Sequence, residues 1–176
     1  AKAFTIDGNR YVAGFNKKGE FSGYYLSTNM KTQYTPEAIL YQDKVSTGFK
    51  DKLLEISYNL GHDPNKLMAV MAQETGGQFT SDIGWADKRG AVGLIQFTGI
   101  AIKEINRVNG TNYTKQMLAD MTPEQQLDIV QLYYQTPILK NKNFKTIEDY
   151  AVATFNPKYV GSASSTVIYK RGETGY

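Results

Sequence analysis

The sequence predicts a mainly α-helical fold, with a small irregular β segment in its middle and a β-hairpin appendage at its N-terminal end. Three observations support this. After residue 46, apolar residues recur three and four residues apart over most of the chain. Capping residues and glycines mark where these helical stretches begin and end. The first 28 residues instead place aromatic and β-branched runs around short turns, which is typical of strands.

The length and composition favour one compact unit with a small addition. A chain of 176 residues that is 41% hydrophobic can bury a core of its own. We expect a β-rich segment and connector over residues 1–45 and a helical domain over residues 46–176. No run reaches the roughly 18 apolar residues of a membrane span, and no signal peptide is recognisable. Because the first residue is Ala1 and not Met, we expect a processed chain or a segment of a longer protein.

The N-terminal strands are predicted as two small hairpins. Residues 4–6 and 11–13 flank a turn at residues 7–9, and Phe15 and residues 21–26 flank a second turn. Hairpins this small are not stable alone, so they must pack on the helical domain or on a partner. Their aromatic rings could cover the helical domain or form a docking face.

A connector and the first long helix follow. Residues 29–46 show no sustained pattern beyond a short helix possible after Pro36. Residues 47–60 place Leu53 and Ile56 on one face of an amphipathic helix, and Gly61 ends it.

The next helix carries the most informative residue of the chain. Asp63 is a suitable N-cap and Pro64 takes the first helical position. One stripe of this helix contains Leu67, Val70, Met71 and Glu74. Burial and the negative end of the helix dipole both raise the pKa of a carboxyl in the place of Glu74. A protonated acid near neutral pH is what a poor leaving group requires. The alternative is that Glu74 is solvated at the edge of the stripe or satisfied by a buried partner.

Three more helices are predicted beyond an irregular region. Residues 78–97 are rich in Gly and charged residues and contain the lone Trp85, which indicates a long loop or a short irregular sheet. The later helices begin at Thr98, at the capping box Thr122-Pro123-Glu124-Gln125, and at Thr146 or Lys145, and they end at Asn109-Gly110, at Pro137 and at Asn156. The tail at residues 158–176 has only a short apolar run.

Composition excludes several kinds of chemistry. The absence of Cys excludes disulfides, Cys-based zinc sites and thiol nucleophiles. The one histidine, His62, cannot build a His-rich metal site and is interpreted as a solvated turn residue. Carboxylate chemistry is therefore the leading option, with no metal or cofactor. A net charge of +3 suits an anionic polymer such as a bacterial cell wall and is too small to indicate nucleic acid.

Four segments in order carry a family resemblance. They are Glu74-Thr75-Gly76-Gly77, Gly90-Ala91-Val92-Gly93-Leu94-Ile95-Gln96-Phe97, Thr122-Pro123-Glu124-Gln125-Gln126-Leu127 through Tyr133, and Phe155-Asn156-Pro157. Over roughly residues 49–170 the chain resembles the lytic transglycosylase and goose-type lysozyme superfamily. The Thr-Gly-Gly and Asn-Pro details are similar to phage lysozymes, which occur as endolysins or tail-associated enzymes.

The resemblance implies a lysozyme-like α+β catalytic domain that acts on bacterial peptidoglycan without a cofactor. It implies action at the cell wall, in the periplasm or from outside, by an enzyme carried in the virion or released at lysis. Other virion tail proteins are further candidate partners. Neither nucleic-acid binding nor membrane insertion is expected.

The resemblance also assigns residues. Glu74 corresponds to the catalytic acid, and Gln96 to a side chain that faces the sugar cleft. Tyr133 matches a helix tyrosine that can orient the carboxyl or the substrate. Phe155 and Asn156 stand where many members carry Tyr-Asn, and Phe155 lacks the tyrosine hydroxyl.

A second carboxylate is less clear. Trp85 and Asp87 lie at the same distances after the glutamate as a Trp and an Asp in goose-type lysozymes. Asp87 would thus help position a water, with Asp82 as a weaker candidate. A further family aspartate is replaced by Thr98. Aspartates in Gly-rich loops are commonly turn formers.

Three functions remain open. As a lytic transglycosylase, the chain needs only Glu74 and forms a 1,6-anhydro ring on N-acetylmuramic acid. As an inverting hydrolase, it needs Asp87 or Asp82 to activate a water. The third reading is a virion structural or wall-binding module, which the aromatic hairpins and the missing start Met favour. Loss of the second family aspartate favours the transglycosylase.

Overall fold

The structure is a computed structural model, and it describes residues 3–6, 9–15, 18, 21–26, 29–34, 39–85 and 90–162. Within these residues the protein is mainly helical, which confirms the predicted fold class at that level. The predicted division after residue 45 stays an expectation. Ile39, on the N-terminal side of that division, is buried in the helical core.

The N-terminal strands form one antiparallel sheet. The strands are β1 (Ala3–Ile6), β2 (Asn9–Phe15), β3 (Phe21–Leu26) and β4 (Asn29–Tyr34), paired in chain order. Phe4 pairs with Tyr11, as the predicted first hairpin requires. Tyr11 is half-buried and packs against the helical core, which favours the covering role for this ring.

One strand corrects a prediction. We expected a connector from residue 29, but β4 is a strand that pairs with β3, with Tyr24 opposite Tyr34. Its sequence, Asn-Met-Lys-Thr-Gln-Tyr, has little intrinsic strand preference. The neighbouring strand therefore decides this conformation, as is common for β-structure. After the connector, a 3₁₀ turn at Gln42–Lys44 leads into the helices.

Two helices come next, α1 (Thr47–Leu60) and α2 (Pro64–Thr75), as predicted. Ser46 caps α1 by accepting from the Phe49 N–H, and Asp63 caps α2 by accepting from the Asn65 N–H, both at 2.9 Å. Gly61 and Gly76 end the two helices in the left-handed conformation that glycine adopts without strain. Local sequence thus determines both ends of each helix.

The remaining elements complete the helical layer around a two-stranded sheet. The sheet pairs β5 (Ala91–Val92) with β6 (Phe97–Thr98), which confirms a short sheet in the irregular region. The helices are α3 (Gly99–Asn109), α4 (Lys115–Ala119), α5 (Pro123–Tyr134) and α6 (Ile147–Phe155), followed by a 3₁₀ turn at Pro157–Tyr159.

Three details differ from the prediction or refine it. Helix α4 was not predicted, because five residues carry too little periodicity to detect. Helix α5 ends at Tyr134, three residues before Pro137. Thr146, and not Lys145, caps α6, with Asp149 completing a capping box. The predicted apolar run at residues 167–169 lies outside the described residues.

The core lies between α1, α2, α5 and α6. It includes side chains that are fully shielded from solvent on three helices: Leu53 and Ile56, Leu67, Val70 and Met71, and Leu127 and Val130. Each such side chain stabilises the fold by about 1.5–3 kcal/mol. Helix α2 is therefore held on its apolar stripe, and that stripe ends at Glu74.

Candidate active site

Glu74 lies on the buried stripe of α2, one residue before the helix ends. Leu67, Val70 and Met71 are completely buried, while Glu74 is half-buried, so the predicted stripe is confirmed. Burial raises the pKa of the Glu74 carboxyl above its ordinary value. The alternative of a fully solvated glutamate at the stripe's edge does not describe this position.

Helix α6 packs against α2 and supplies the contact to the carboxyl. The Thr154 hydroxyl lies 3.3 Å from Glu74 Oε1, and as a donor to the carboxylate it lowers the pKa of Glu74, against the larger effect of burial. The same hydroxyl lies 2.7 Å from the Ala151 carbonyl oxygen. Sequence reasoning did not identify Thr154 as a partner of Glu74. The signal was its spacing of four residues from the buried Tyr150.

Tyr133 touches the backbone of α6. Its buried hydroxyl donates to the Ala153 carbonyl at 2.5 Å, and burial raises the pKa of the phenol well above its ordinary value. The hydroxyl is therefore neutral, and its hydrogen bond holds Ala153, the residue that precedes Thr154. The Tyr133 hydroxyl therefore bonds the backbone of α6 and not the Glu74 carboxyl.

Tyr134 is a second neighbour of Glu74. The two interact electrostatically, and complete burial raises the pKa of Tyr134 well above its ordinary value. Tyr134 belongs to an aromatic cluster with Phe144, Tyr150 and His62, whose ring centroids lie 5.3, 5.8 and 5.1 Å from its own. The interpretation of His62 as a solvated turn residue is therefore wrong. Residues far along the chain enclose it, which its local sequence does not reveal.

Gln96 lies in the turn between β5 and β6. Its backbone is left-handed, with φ of 52°, which is uncommon for a residue with a side chain. The side-chain Nε2 donates to the carbonyl oxygens of Ile83 and Gly93, both at 3.0 Å. Because an amide nitrogen has two hydrogens, both donors are occupied. The amide oxygen is the remaining polar atom of this side chain, and it can only accept a hydrogen bond.

Gly84 makes this arrangement possible. Its φ is +83°, and a Cβ there would lie 2.7 Å from the Ala91 carbonyl oxygen and 2.8 Å from Gln96 Oε1. A side chain at position 84 would therefore push the amide of Gln96 away. Only glycine fits both the backbone and the space.

Gln126 of α5 is a structural residue that sequence reasoning did not single out. Its buried amide accepts from the Leu94 N–H at 2.7 Å and donates to the carbonyls of Leu118 at 2.8 Å and Ser81 at 3.0 Å. A glutamine just after a capping box was the available signal, but its three partners come from separate segments. This amide holds the loop that contains Gln96 against helix α5.

Phe155 and Asn156 follow Thr154 at the end of α6. Phe155 is 56% exposed, so its ring is available at the surface and does not serve the core. Asn156 ends the helix, with φ of −148° and ψ of 71°. Both residues stand next to the contact between Thr154 and Glu74, and their substrate-binding role stays a prediction.

The predicted second carboxylate is not located. Asp87 lies outside the described residues, so its role stays a prediction. Asp82 is exposed, and its backbone carbonyl accepts from the Trp85 N–H at 2.9 Å in a turn. Trp85 itself is 38% exposed.

Aromatic packing links the turn that contains Gln96 to helix α5. The Phe97 ring, next to Gln96, lies edge-on to the Tyr133 ring with centroids 6.2 Å apart. Tyr133 then bonds Ala153, whose neighbour Thr154 contacts Glu74. Tyr133 therefore contacts both the residue that follows Gln96 and the residue that precedes Thr154.

Two further observations concern the part of the chain that the structure describes. No group of three or more His, Asp and Glu side chains there could hold a metal ion. None of the helices in that part is both long and apolar enough to cross a membrane.

Comparisons with protein-family models, with curated proteins and with solved structures found no match to this chain.

Proposed function

We propose that this protein degrades bacterial peptidoglycan as a lytic transglycosylase, cleaving the β-1,4 bond between N-acetylmuramic acid and N-acetylglucosamine. The observation that carries the proposal is the half-buried Glu74, whose carboxyl ends an apolar stripe and has a pKa raised by burial. An acid of this kind can protonate a glycosidic oxygen near neutral pH. The motif order stated above supplies the substrate class.

The reaction proceeds in two steps on one carboxyl. Glu74 first gives its proton to the bridging oxygen as the bond to the muramyl anomeric carbon breaks. The resulting carboxylate then takes the proton of the muramyl 6-hydroxyl as that oxygen bonds to the same carbon. The product carries a 1,6-anhydro ring, no water is consumed, and Glu74 is protonated again.

Gln96 has a defined polarity in this proposal. Since both amide hydrogens bind backbone carbonyls, Oε1 accepts a hydrogen bond from the sugar. Sugar hydroxyls and the N–H of an N-acetyl group are the matching donors. The exposed ring of Phe155 offers an apolar surface for a sugar face.

The test is a digestion of purified peptidoglycan by the parent chain and by Glu74→Gln, with the released muropeptides identified by mass spectrometry. We expect anhydro-muramyl products from the parent and a loss of roughly 10²- to 10⁴-fold for the variant. Glu55→Gln is the matched control, because Glu55 is an exposed glutamate on α1 paired only with Lys52 in the described contacts. It should digest like the parent.

Other products would change the conclusion. Reducing-end products, heavier by one water molecule, would identify an inverting hydrolase and make Asp87 the next residue to replace. Equal release by Glu74→Gln and the parent would remove Glu74 from the reaction. If neither the parent nor the variants release muropeptides, and the parent nevertheless sediments with sacculi, the protein is a wall-binding module.

A further inference from the structure

We propose that Thr154 is a positioning residue whose hydroxyl hydrogen moves between the Ala151 carbonyl and the Glu74 carboxylate, according to whether Glu74 carries its proton. This inference rests on the proposed function, since it concerns the residue that acts as acid and then as base. It deepens that function by giving the same side chain a partner in both protonation states.

The first step is a count of hydrogens. Thr154 Oγ1 lies 2.7 Å from the Ala151 carbonyl oxygen and 3.3 Å from Glu74 Oε1. A hydroxyl has one hydrogen to donate and two lone pairs to accept. The carbonyl can only accept, and it is the nearer of the two oxygens. The shorter distance favours a hydrogen that points at Ala151, which leaves a lone pair of Oγ1 facing Glu74.

That arrangement suits a protonated Glu74. A neutral carboxyl can donate its own hydrogen to Oγ1, while Oγ1 continues to donate to Ala151. The two bonds then run in one direction, from Glu74 through Thr154 to the backbone of α6. The neutral acid is held towards α6 without any charge on the site.

Ionised Glu74 needs the opposite arrangement. A carboxylate is an acceptor only, so a lone pair facing it is repulsive. Rotation about the Cβ–Oγ1 bond turns the hydrogen from Ala151 to Glu74 without moving the helix. Ala151 lies inside α6, so its carbonyl retains the helical hydrogen bond. The new bond is charge-assisted and stronger than the one given up.

Among the groups around Glu74, Thr154 is the one placed to donate a hydrogen bond to its carboxylate. In the part of the chain that the structure describes, no other side chain donates a hydrogen bond to Glu74. Tyr134 of α5 interacts with Glu74 electrostatically but stays neutral, and the Tyr133 hydroxyl is used on Ala153.

Several charged groups of the neighbouring helices are engaged elsewhere. On α1, Lys52 pairs with Asp128 and Glu55. On α6, Asp149 accepts from the backbone at the opposite end of the helix.

The consequence concerns the middle of the reaction. After the glycosidic oxygen has taken the proton, Glu74 is a carboxylate and must stay aimed until it accepts the proton of the 6-hydroxyl. The Thr154 hydrogen stabilises the carboxylate during this interval. It also limits how far burial raises the pKa of Glu74.

The experiment compares Thr154→Val and Thr154→Ser in the full chain with two measurements. The first is the titration midpoint of the Glu74 carboxyl carbon by ¹³C NMR, which needs no activity. The second is the pH profile of muropeptide release. For Thr154→Val we expect both the midpoint and the alkaline limb to move up by about one pH unit, since a bond to a charged group is lost. Release should also fall roughly tenfold, and Thr154→Ser should restore both values.

The matched control is Thr136→Val. The Thr136 hydroxyl is buried and donates to the Tyr133 carbonyl at 2.7 Å, so this variant removes the same kind of bond without a carboxyl nearby. It should leave the Glu74 midpoint in place. If Thr154→Val does not fold, Thr154→Ala replaces it with the same expected shift.

The outcomes separate the two proposals. An unchanged midpoint in Thr154→Val, or the same shift in Thr154→Ser, would overturn the role of Thr154. A shifted midpoint together with an inactive parent chain would support the movement of the hydrogen and overturn the proposed function.

Discussion

The loop that contains Gln96 and the carboxyl of Glu74 are held in opposite ways. Gln126 makes three hydrogen bonds of 2.7 to 3.0 Å from a fully buried amide, and Gln96 uses both amide hydrogens on backbone carbonyls. Among the described residues, Glu74 has one side-chain hydrogen bond, to Thr154 at 3.3 Å, and it remains half-buried. The fully bonded glutamine amides give a rigid loop, whereas the Glu74 carboxyl, with few hydrogen bonds, can lose and regain its proton.

This difference fits the roles that we propose for the two groups. A buried amide that lacks a partner costs free energy, so a fully bonded amide strongly favours one loop conformation. A carboxyl with several donors would stay ionised, because each donated hydrogen bond lowers its pKa. A site that needs a proton donor therefore keeps donors away from the acid and places them in the loop.

The largest effect on stability is expected at Gln126. Gln126→Ala leaves the Leu94 N–H and two carbonyls without their partner, so we expect the free energy of unfolding to fall by about 3 kcal/mol or more. Urea denaturation measures this. The control is Gln125→Ala, which removes an exposed side chain that accepts from the Thr122 N–H and should cost about 1 kcal/mol. Equal costs for the two variants would show that the buried amide does not hold the loop.

The next effect is expected at Gly93. Its φ is +81°, and an added Cβ would lie 2.2 Å from Gln126 Oε1, so Gly93→Ala combines backbone strain with a clash and should cost about 2–4 kcal/mol. Gly110→Ala is the control, with φ of +65° and no atom within 4 Å of the added Cβ. It should cost about 1 kcal/mol.

The same pair allows a double-mutant cycle by urea denaturation. In a Gln126→Ala background the clash at position 93 is absent, so the additional cost of Gly93→Ala should fall to that of Gly110→Ala. Additive costs would mean that the loop and the Gln126 side chain do not share one packed arrangement.

A smaller effect is expected at Tyr133. Tyr133→Phe removes the hydroxyl bond to the Ala153 carbonyl and should cost about 1 kcal/mol of stability. Because this hydroxyl binds the backbone, the pH profile of muropeptide release should keep its position. A shift of the alkaline limb as large as that expected for Thr154→Val would instead indicate that the Tyr133 hydroxyl bonds the Glu74 carboxyl.

The smallest effect is a change in how stability depends on pH. Since burial raises the pKa of Glu74, the folded chain keeps this proton at pH values where the unfolded chain has lost it. Stability from this group is complete below the unfolded value of about 4.3 and falls as pH rises through the folded value. Glu74→Gln cannot titrate, so its stability relative to the parent should increase with pH over that window. Parallel curves in a urea series would contradict the raised pKa.

Much of the helical scaffold was predictable because its signals are local. Ser46, Asp63, Thr98, Thr122 and Thr146 each cap the helix that follows, through a side-chain oxygen that accepts a backbone N–H. Capping depends on residues within three positions of each other, so one stretch of sequence is enough to identify it. Helix α4 and strand β4 lack such signals.

The same distinction between local and long-range signals applies to the candidate site. The helical spacing of Leu67, Val70, Met71 and Glu74 already placed the acid on a buried face, since a helix of known phase determines which side chains share a stripe. The neighbours of Glu74 were not available in this way. Thr154 lies 80 residues further along the chain and Gln126 bonds a segment 45 residues away, so only packing of the helices could join them.

The sequence by itself determined the mainly helical class, the position of most helices, and the presence of a glutamate on a buried stripe. Tertiary structure decided that a hydroxyl of α6 meets this glutamate, that Gln126 holds the loop of Gln96, and that His62 lies among aromatic rings. The physical reason is the separation along the chain over which each kind of interaction acts. Periodicity and capping act within a few residues, whereas burial, hydrogen-bond partners and pKa depend on segments that meet only when the chain is folded.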